Sequence, residues 1–395
     1  MSQRRPSPWP HRWAWLLACA TFPLVWVGGL VTTTNSGMAF RDWLTSDGHF
    51  MLIYPWFQAA GEKFIEHGHR LLGALVGFLA IGLVLVFSRT ELRRWVRCLS
   101  WALLAGVILQ GVLGGMRVLL AVEHDNGARA LALLHGCTGP LFFALCVAMV
   151  VFTSPAWFSS GTEFSVGTGF STGRDAAGQQ FAGSNVTGPN VFQLQKLVRV
   201  GLVTSGLAYG QLVLGAIVRH TPHMTGHLAS IAFQTAIYFH LLVAGLLLFY
   251  LGLLLWRGQQ AKIGLLGPLC LLGFFAVQIG LGACTWWVKY GQPAWTTPFI
   301  GEQNYLNRAV EILPAVIITS HVAIGSLIGV TVMSITLLAI RRLSKDRRYV
   351  KGERQYVKGQ VKIEPSECQS LTSQTLHNFL LCWNQAGNQR LEVVL

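Results

Sequence analysis

Long apolar stretches constrain this chain more than anything else in it. A helix crosses a bilayer with about 20 largely apolar residues. Eight such stretches can be read, roughly at 13–31, 65–87, 98–119, 131–152, 199–218, 229–256, 264–288 and 310–340. Composition agrees: 52% of the 395 residues are hydrophobic, only 12% are charged, and the mean hydropathy is +0.48. That is a polytopic membrane protein, not a soluble enzyme.

A net charge of +14 invites a nucleic-acid reading, but the placement of the charge argues against it. With both termini inside, the inner set is Arg4, Arg5, Arg12, Arg89, Arg93, Arg94, Arg97, Arg174, Lys196, Arg199, Arg257, Lys262 and ten more after the last span. The outer set is only Arg41, Lys63, Arg70, Arg117, Arg129, Arg219, Lys289 and Arg308. Such a bias orients a protein with its basic loops in the cytosol. The chain therefore reads as a multi-pass protein of the cell's inner (plasma) membrane. Arg4, Arg5 and Arg12 before the first span resemble a signal peptide, but without a small-residue cleavage site an anchor fits better.

The eight cysteines form no CxxC pair. Cys19, Cys98, Cys137, Cys146, Cys270 and Cys284 lie in or beside spans and read as small hydrophobes; Cys368 and Cys382 fall in the tail. No structural disulfide is expected.

Residues 153–195 are rich in Gly, Ser and Thr without periodicity, which describes a linker. It divides the chain into a half at 1–152 and a half at 196–342, followed by a basic tail at 343–395. The halves look alike. Val27-Gly28-Gly29-Leu30-Val31 parallels Leu214-Gly215-Ala216-Ile217-Val218, and Gln110-Gly111-Val112-Leu113-Gly114-Gly115 parallels Gln278-Ile279-Gly280-Leu281-Gly282-Ala283. Four spans per half give both repeats the same orientation, so the expected fold is all-α: two pseudo-repeated, parallel four-helix bundles. The small residues would let helices approach closely. The tail's basic part, from Arg341, suits anionic headgroups.

Within this apolar background lie His69, His135, His240 and His321, one in each even-numbered span. A lone buried histidine in a soluble protein is more often a structural hydrogen-bonder, but in lipid an unpartnered polar side chain is expensive. Facing helices of a bundle are where cofactor sites are built. Two histidines per bundle suit the axial positions of a haem iron, and apolar walls suit the macrocycle. A closed zinc site would want more ligands; copper stays open as an alternative.

Glu66 lies three residues before His69, on the same helix face. A solvated carboxylate is the plain reading. The alternative is an acid that hydrogen-bonds His69 or handles a proton at the haem edge. Ala236-Ile237-Tyr238-Phe239, before His240, offers no equivalent. That asymmetry points to chemistry in the first bundle and a resident electron-carrying haem in the second. Arg70, Arg117 and Arg219 at outer helix ends are candidate contacts for haem propionates, against a plain reading of snorkelling. His67, His220, His223 and His227 read as solvated or interfacial, and Trp286, Trp287 and Tyr290 as an aromatic belt.

With these residues in view, the chain resembles the haem A synthase family over about residues 13–340, less the linker. The strongest motif is Phe64-Ile65-Glu66-His67-Gly68-His69-Arg70-Leu71-Leu72-Gly73. Support comes from Gly28-Gly29-Leu30-Val31-Thr32-Thr33 with Ser36-Gly37-Met38 and Asp42-Trp43, from Leu109-Gln110-Gly111-Val112-Leu113-Gly114-Gly115, and from Leu214-Gly215-Ala216-Ile217-Val218-Arg219. The resemblance implies two bundles, with the substrate haem O held by His69 and His135 beside an essential acid at Glu66. It implies haem b on His240 and His321, and oxidation of a ring methyl of haem O to a formyl group through hydroxylated intermediates. Haem O synthase and a haem-copper oxidase are the implied partners; a homo-oligomer is compatible with the sequence. Many members carry an arginine soon after the Gly-Gly, where this chain has Thr32-Thr33-Thr34. Some carry a cysteine pair in an outer loop, which this chain lacks. Two other readings remain: a di-haem cytochrome b-like electron carrier, and a non-catalytic haem-handling assembly factor.

The charge bias makes a direct prediction. Reporter fusions near Gly178 and after Arg348 should both read cytosolic, and an external reading at either would overturn the eight-span topology.

Overall fold

The structure is a computed structural model that describes residues 7–121, 125–159, 172–174, 180–182, 191–225, 228–264, 266–291 and 312–360. In hydrocarbon a chain must satisfy its backbone polar groups within each segment, so apolar stretches of this length become helices. The long helices are α1 (Trp9–Thr33), α2 (Glu62–Thr90), α3 (Arg94–Ala121), α4 (Asp125–Thr153), α6 (Val191–His220), α7 (Ile231–Gln260), α8 (Leu266–Tyr290) and α9 (Ile312–Gln360). All eight contain a segment long and apolar enough to cross a membrane, so the protein is an all-helical, multi-pass membrane protein. All eight long helices run past the expected C-terminal limits and the first five also begin earlier, whereas α7, α8 and α9 begin two residues later than expected. The clearest case is α9, which runs on to Gln360 into the basic region.

The expected linker holds a short helix α5 (Pro155–Ser159) and a hairpin of β3 (Thr172–Arg174) with β4 (Gln180–Ala182). Its last residues belong to α6, which begins at Val191. Gly178, Arg308, His227, Cys368 and Cys382 lie outside the described residues.

Two large apolar cores hold the helices together, with a smaller third cluster of Val218 of α6 and Phe233 and Ala236 of α7. One is built by Leu17 of α1, Val76, Leu83 and Phe87 of α2, Leu103 of α3 and Phe142 and Met149 of α4. The other is built by Leu194 and Leu197 of α6, Leu247, Leu251 and Leu254 of α7, Leu271 of α8 and Ile328 and Val332 of α9. Four helices contribute to each core. α4 is the central element, with 56% of its apolar window buried, whereas α8 buries only 6% and leaves its surface to lipid. Between the cores α1 meets α9 and α6. Trp26 Nε1 donates to Ser320 Oγ (3.2 Å), and Thr33 Oγ1 lies 3.4 Å from Thr319 Oγ1. Close approach there needs Gly29, where a Cβ would fall 2.7 Å from Thr319 Cγ2.

The α1–α2 connection forms a folded cap. A hairpin of β1 (Thr45–Ser46) and β2 (His49–Phe50) turns on Asp47-Gly48, both at positive φ (49° and 78°), the geometry an Asp-Gly two-residue turn favours. The Asp42 carboxylate accepts from Thr45 Oγ1, Asp47 N and Gly48 N. Burial raises its pKa, but these three donors outweigh that and hold it below the usual carboxylate range. A third hairpin, β5 (Met224–Thr225) with β6 (Leu228–Ala229), lies between α6 and α7.

Candidate functional site

The two cores stop short of the histidines. Along α2, α4, α7 and α9 the first fully buried members of these two cores are Val76, Phe142, Leu247 and Ile328. They follow His69, His135, His240 and His321 by the same interval, about two helical turns. The imidazoles thus form a layer of their own, towards the end that carries the α1–α2 cap.

Each imidazole faces a glycine on a neighbouring helix. A Cβ at Gly28 of α1 would lie 2.8 Å from His69 Cε1, and one at Gly114 of α3 would lie 3.5 Å from His135 Cε1. The matching distances are 3.3 Å from Gly215 of α6 to His240 and 3.1 Å from Gly282 of α8 to His321. The small-residue motifs that look alike in the two halves therefore do the same local job, which is to leave room for a ring.

Each imidazole also has one nitrogen that nothing in the described structure satisfies. The Nδ1 atoms of His69, His135, His240 and His321 are all buried without a hydrogen-bond partner. Backbone hydrogen bonds tie His69 to Leu24, His135 to Gln110 and His321 to Gln278. The Gln211 side-chain nitrogen sits 3.2 Å from His240 Nε2, and that of Gln278 sits 3.4 Å from His321 Nε2. One nitrogen held by the protein and the other left open is how a metal-binding imidazole is oriented. An orphaned buried polar atom costs about 1–3 kcal/mol, so four of them are a large charge against a stability of roughly 5–15 kcal/mol.

In the α1–α4 half the two rings meet. The His69 and His135 centroids are 6.5 Å apart, nearly perpendicular at 86°. With metal–nitrogen bonds of about 2 Å, two axial imidazoles on one metal put their ring centres roughly 6 Å apart. The spacing is thus close to that of two imidazoles on one metal ion. In the other half His240 lies close enough to His321 to act on it electrostatically. Among the described residues no group of three or more His, Cys, Asp or Glu gathers, so the donor sets are pairs, not the closed set of a structural zinc site.

Glu66 is buried, at 4% exposure, with both oxygens engaged. Oε2 accepts from Ala39 N (2.8 Å) and Phe40 N (3.1 Å), and Oε1 accepts from Arg70 Nη2 (2.7 Å). Arg70 also donates to the carbonyls of Thr45 and Asp42. The pair on α2 therefore clasps the cap rather than reaching to His69. His67 corrects the expectation of a solvated ring. It is 1% exposed, because Phe40, Tyr54 and Trp56 of the cap fold over it and Ser46 Oγ meets its Nδ1 at 3.0 Å.

The three arginines separate by their partners. Arg70 is spent on the clasp. Arg219 of α6 reaches across to α1 and donates to Gly29 O and Thr33 Oγ1, where Thr32-Thr33-Thr34 stand. Arg117 of α3 packs its guanidinium against Gly37, with a Cβ there 3.1 Å away, and acts electrostatically on both His69 and His135. His220 is half-buried beside Arg219, while His223 is exposed and packs on Phe233 and Tyr290. Trp286 packs on Tyr290, and this pair borders the same end of the bundle. The residues that sequence reasoning missed as site members are Gln211 and Gln278. Their signal was an amide in an apolar span, which needs a partner there.

Curated proteins of known kind now bear on the site. The chain is 24% identical to a haem A synthase of Hyphomonas neptunium over 238 residues, covering 52% of this chain and 59% of that one. It is 31% identical to the haem A synthase of Beijerinckia indica over 127 residues (26% of this chain, 35% of the relative). It is 27% identical to that of Methylorubrum extorquens over 180 residues (38% and 44%). The chain is a distant relative of the haem A synthases. It spans between about a third and three-fifths of the length of these relatives. No family model matches the chain, and no solved structure matches it.

The glycine contact gives a sharp expectation. Gly28→Val puts branched carbons where His69 Cε1 now lies and should displace that ring. If the histidine pairs hold haem, haem bound to the purified variant should drop on the His69–His135 side, leaving the His240–His321 contribution in the absorption spectrum. An unchanged spectrum would remove Gly28 from the site.

Proposed function

We propose that this protein is a haem A synthase, an oxidoreductase that converts a ring methyl of haem O to a formyl group. Haem O, the substrate, is bound by His69 and His135 in a first bundle at residues 1–152. Haem b is held by His240 and His321 in a second bundle at 196–342, with 153–195 as the linker and 343–395 as a basic tail. The observation that carries this reading is the fourfold arrangement of buried imidazoles, each with an open nitrogen and a facing glycine. The two separate cores and the paired motifs support two repeated bundles. The distant likeness to haem A synthases supports the substrate.

Bound haem b would supply one-electron chemistry beside the substrate. The residues of the chain do the rest. His69 and His135 hold the substrate between α2 and α4. Arg117 is the cation best placed for a substrate carboxylate, since Arg70 and Arg219 are committed to the cap and to α1. Glu66 is the acid one helical turn from His69, and its carboxylate would favour positive charge developing at the methyl. The cap and the aliphatic cores exclude water from the layer of imidazoles. The protein works in the plasma membrane with both termini in the cytosol, taking haem O from its synthase and passing product to a haem-copper oxidase.

One observation favours the di-haem carrier instead: both oxygens of Glu66 are already occupied by the cap and Arg70. The two readings part on one variant. In cells making haem O, Glu66→Gln keeps an acceptor for Ala39 N and Phe40 N while removing the charge. It should retain bound haem and lose haem A on extraction and chromatography. His69→Ala and His135→Ala should lose the substrate haem as well, whereas His240→Ala and His321→Ala should remove haem B. Near-normal haem A from Glu66→Gln would reduce Glu66 to an anchor for the cap.

A further inference from the structure

The cap turns large apolar side chains outward. Leu44 is 66% exposed, Phe50 59%, Ile53 73% and Phe57 88%, while the same segment buries Phe40 and Ser46 completely. An exposed apolar patch of this kind marks a surface that something covers. Its orientation is preset from inside. Glu66 holds Ala39 N and Phe40 N, Arg70 holds the carbonyls of Asp42 and Thr45, and Trp56 Nε1 donates to Phe64 O at 2.9 Å. The cap cannot turn over without breaking the hydrogen bonds that tie its backbone to Glu66 and Arg70.

What covers them follows from continuity. The Phe57 ring lies 5.2 Å from Trp56, and Trp56 stacks on Phe64 at 4.9 Å and 16°. Phe64, itself 41% exposed, stands on the first turn of α2. Leu75 and Phe78, about three and four turns further on, share its face and are 46% and 59% exposed on a membrane-spanning segment. One uninterrupted apolar surface thus runs from the lipid-facing side of α2 onto the cap. Trp and Tyr are the residues that favour the boundary between headgroups and acyl chains, and Tyr54 and Trp56 belong to the same segment as the exposed Ile53 and Phe57.

We propose that residues 50–57 lie in the headgroup–acyl boundary of the leaflet that α2 enters, with Phe50, Ile53 and Phe57 inserted among the upper acyl carbons. The cap is then a membrane-seated lid, clasped to α2 on its inner side and solvated by lipid on its outer side. This reading stands whether or not the protein handles haem.

The test uses the full chain in phosphatidylcholine vesicles that contain a lipid with a photoactivatable diazirine high on its acyl chain. A water-soluble diazirine is used in parallel, and adducts are mapped by mass spectrometry. The peptide carrying residues 50–57 should take the lipid probe to the level of the peptide carrying Leu75 and Phe78, and should be protected from the aqueous probe. Ile53→Asp with Phe57→Asp should lower the lipid adduct on the cap several-fold and leave that on Leu75 and Phe78 unchanged, which also shows that the variant is folded. Predominantly aqueous labelling would overturn the proposal by placing the cap in water. Protection from both probes would overturn it by showing that a protein surface, such as a second copy of this chain, covers the patch.

Discussion

An imidazole surrounded by hydrocarbon needs a partner for each of its ring nitrogens, and this protein provides only one. That imbalance recurs at His69, His135, His240 and His321, where Nδ1 is buried and open. The buried members of the two large apolar cores begin about two turns beyond each ring. Each ring is then given space by a glycine on the next helix. About two turns away the same four helices carry the apolar side chains Val76, Phe142, Leu247 and Ile328 instead. The imidazoles, their open nitrogens and the facing glycines are the features on which the proposed haem sites rest.

The second organising interaction is the clasp on α2. A buried ion pair is weak evidence for stability in itself, yet removing one partner typically costs about 3–5 kcal/mol because the other is left buried and unpaired. Here Glu66 and Arg70 use that dependence to hold a loop. Between them they satisfy two backbone amides and two backbone carbonyls of the cap, which could find no partners in an apolar setting. Arg219 plays a comparable part across the seam, tying α6 to the backbone of α1 next to Gly28, which in turn faces His69. The two halves are therefore mechanically joined through the helix that lines the first pair of histidines.

Much of this was legible beforehand because hydrophobicity and charge act over whole segments. The eight helices follow from apolar length alone. The histidine layer stands out because each imidazole interrupts an otherwise apolar run. Helix ends were not legible: Val191 and Gln360 lie well beyond the hydropathy limits, where propensity rather than apolar length decides. The cap was not legible either. Reading His67 as solvated failed because its burial depends on Phe40, Tyr54 and Trp56, whose arrival over α2 is a matter of loop geometry and of the Asp47-Gly48 turn. For the same reason the partners of Glu66 could not be foreseen. Nothing in the spacing of Glu66 and His69 indicates that Ala39 N and Phe40 N would reach the carboxylate first.

Iron binding by the paired imidazoles is tested most directly by electron paramagnetic resonance of the purified wild-type protein, read with its haem-to-polypeptide ratio. Low-spin ferric signals of two nitrogenous axial ligands are predicted, with the ratio rising towards two haems per chain when haem O is supplied. Protein that purifies without haem, or whose iron is wholly high-spin with a single protein ligand, would contradict it.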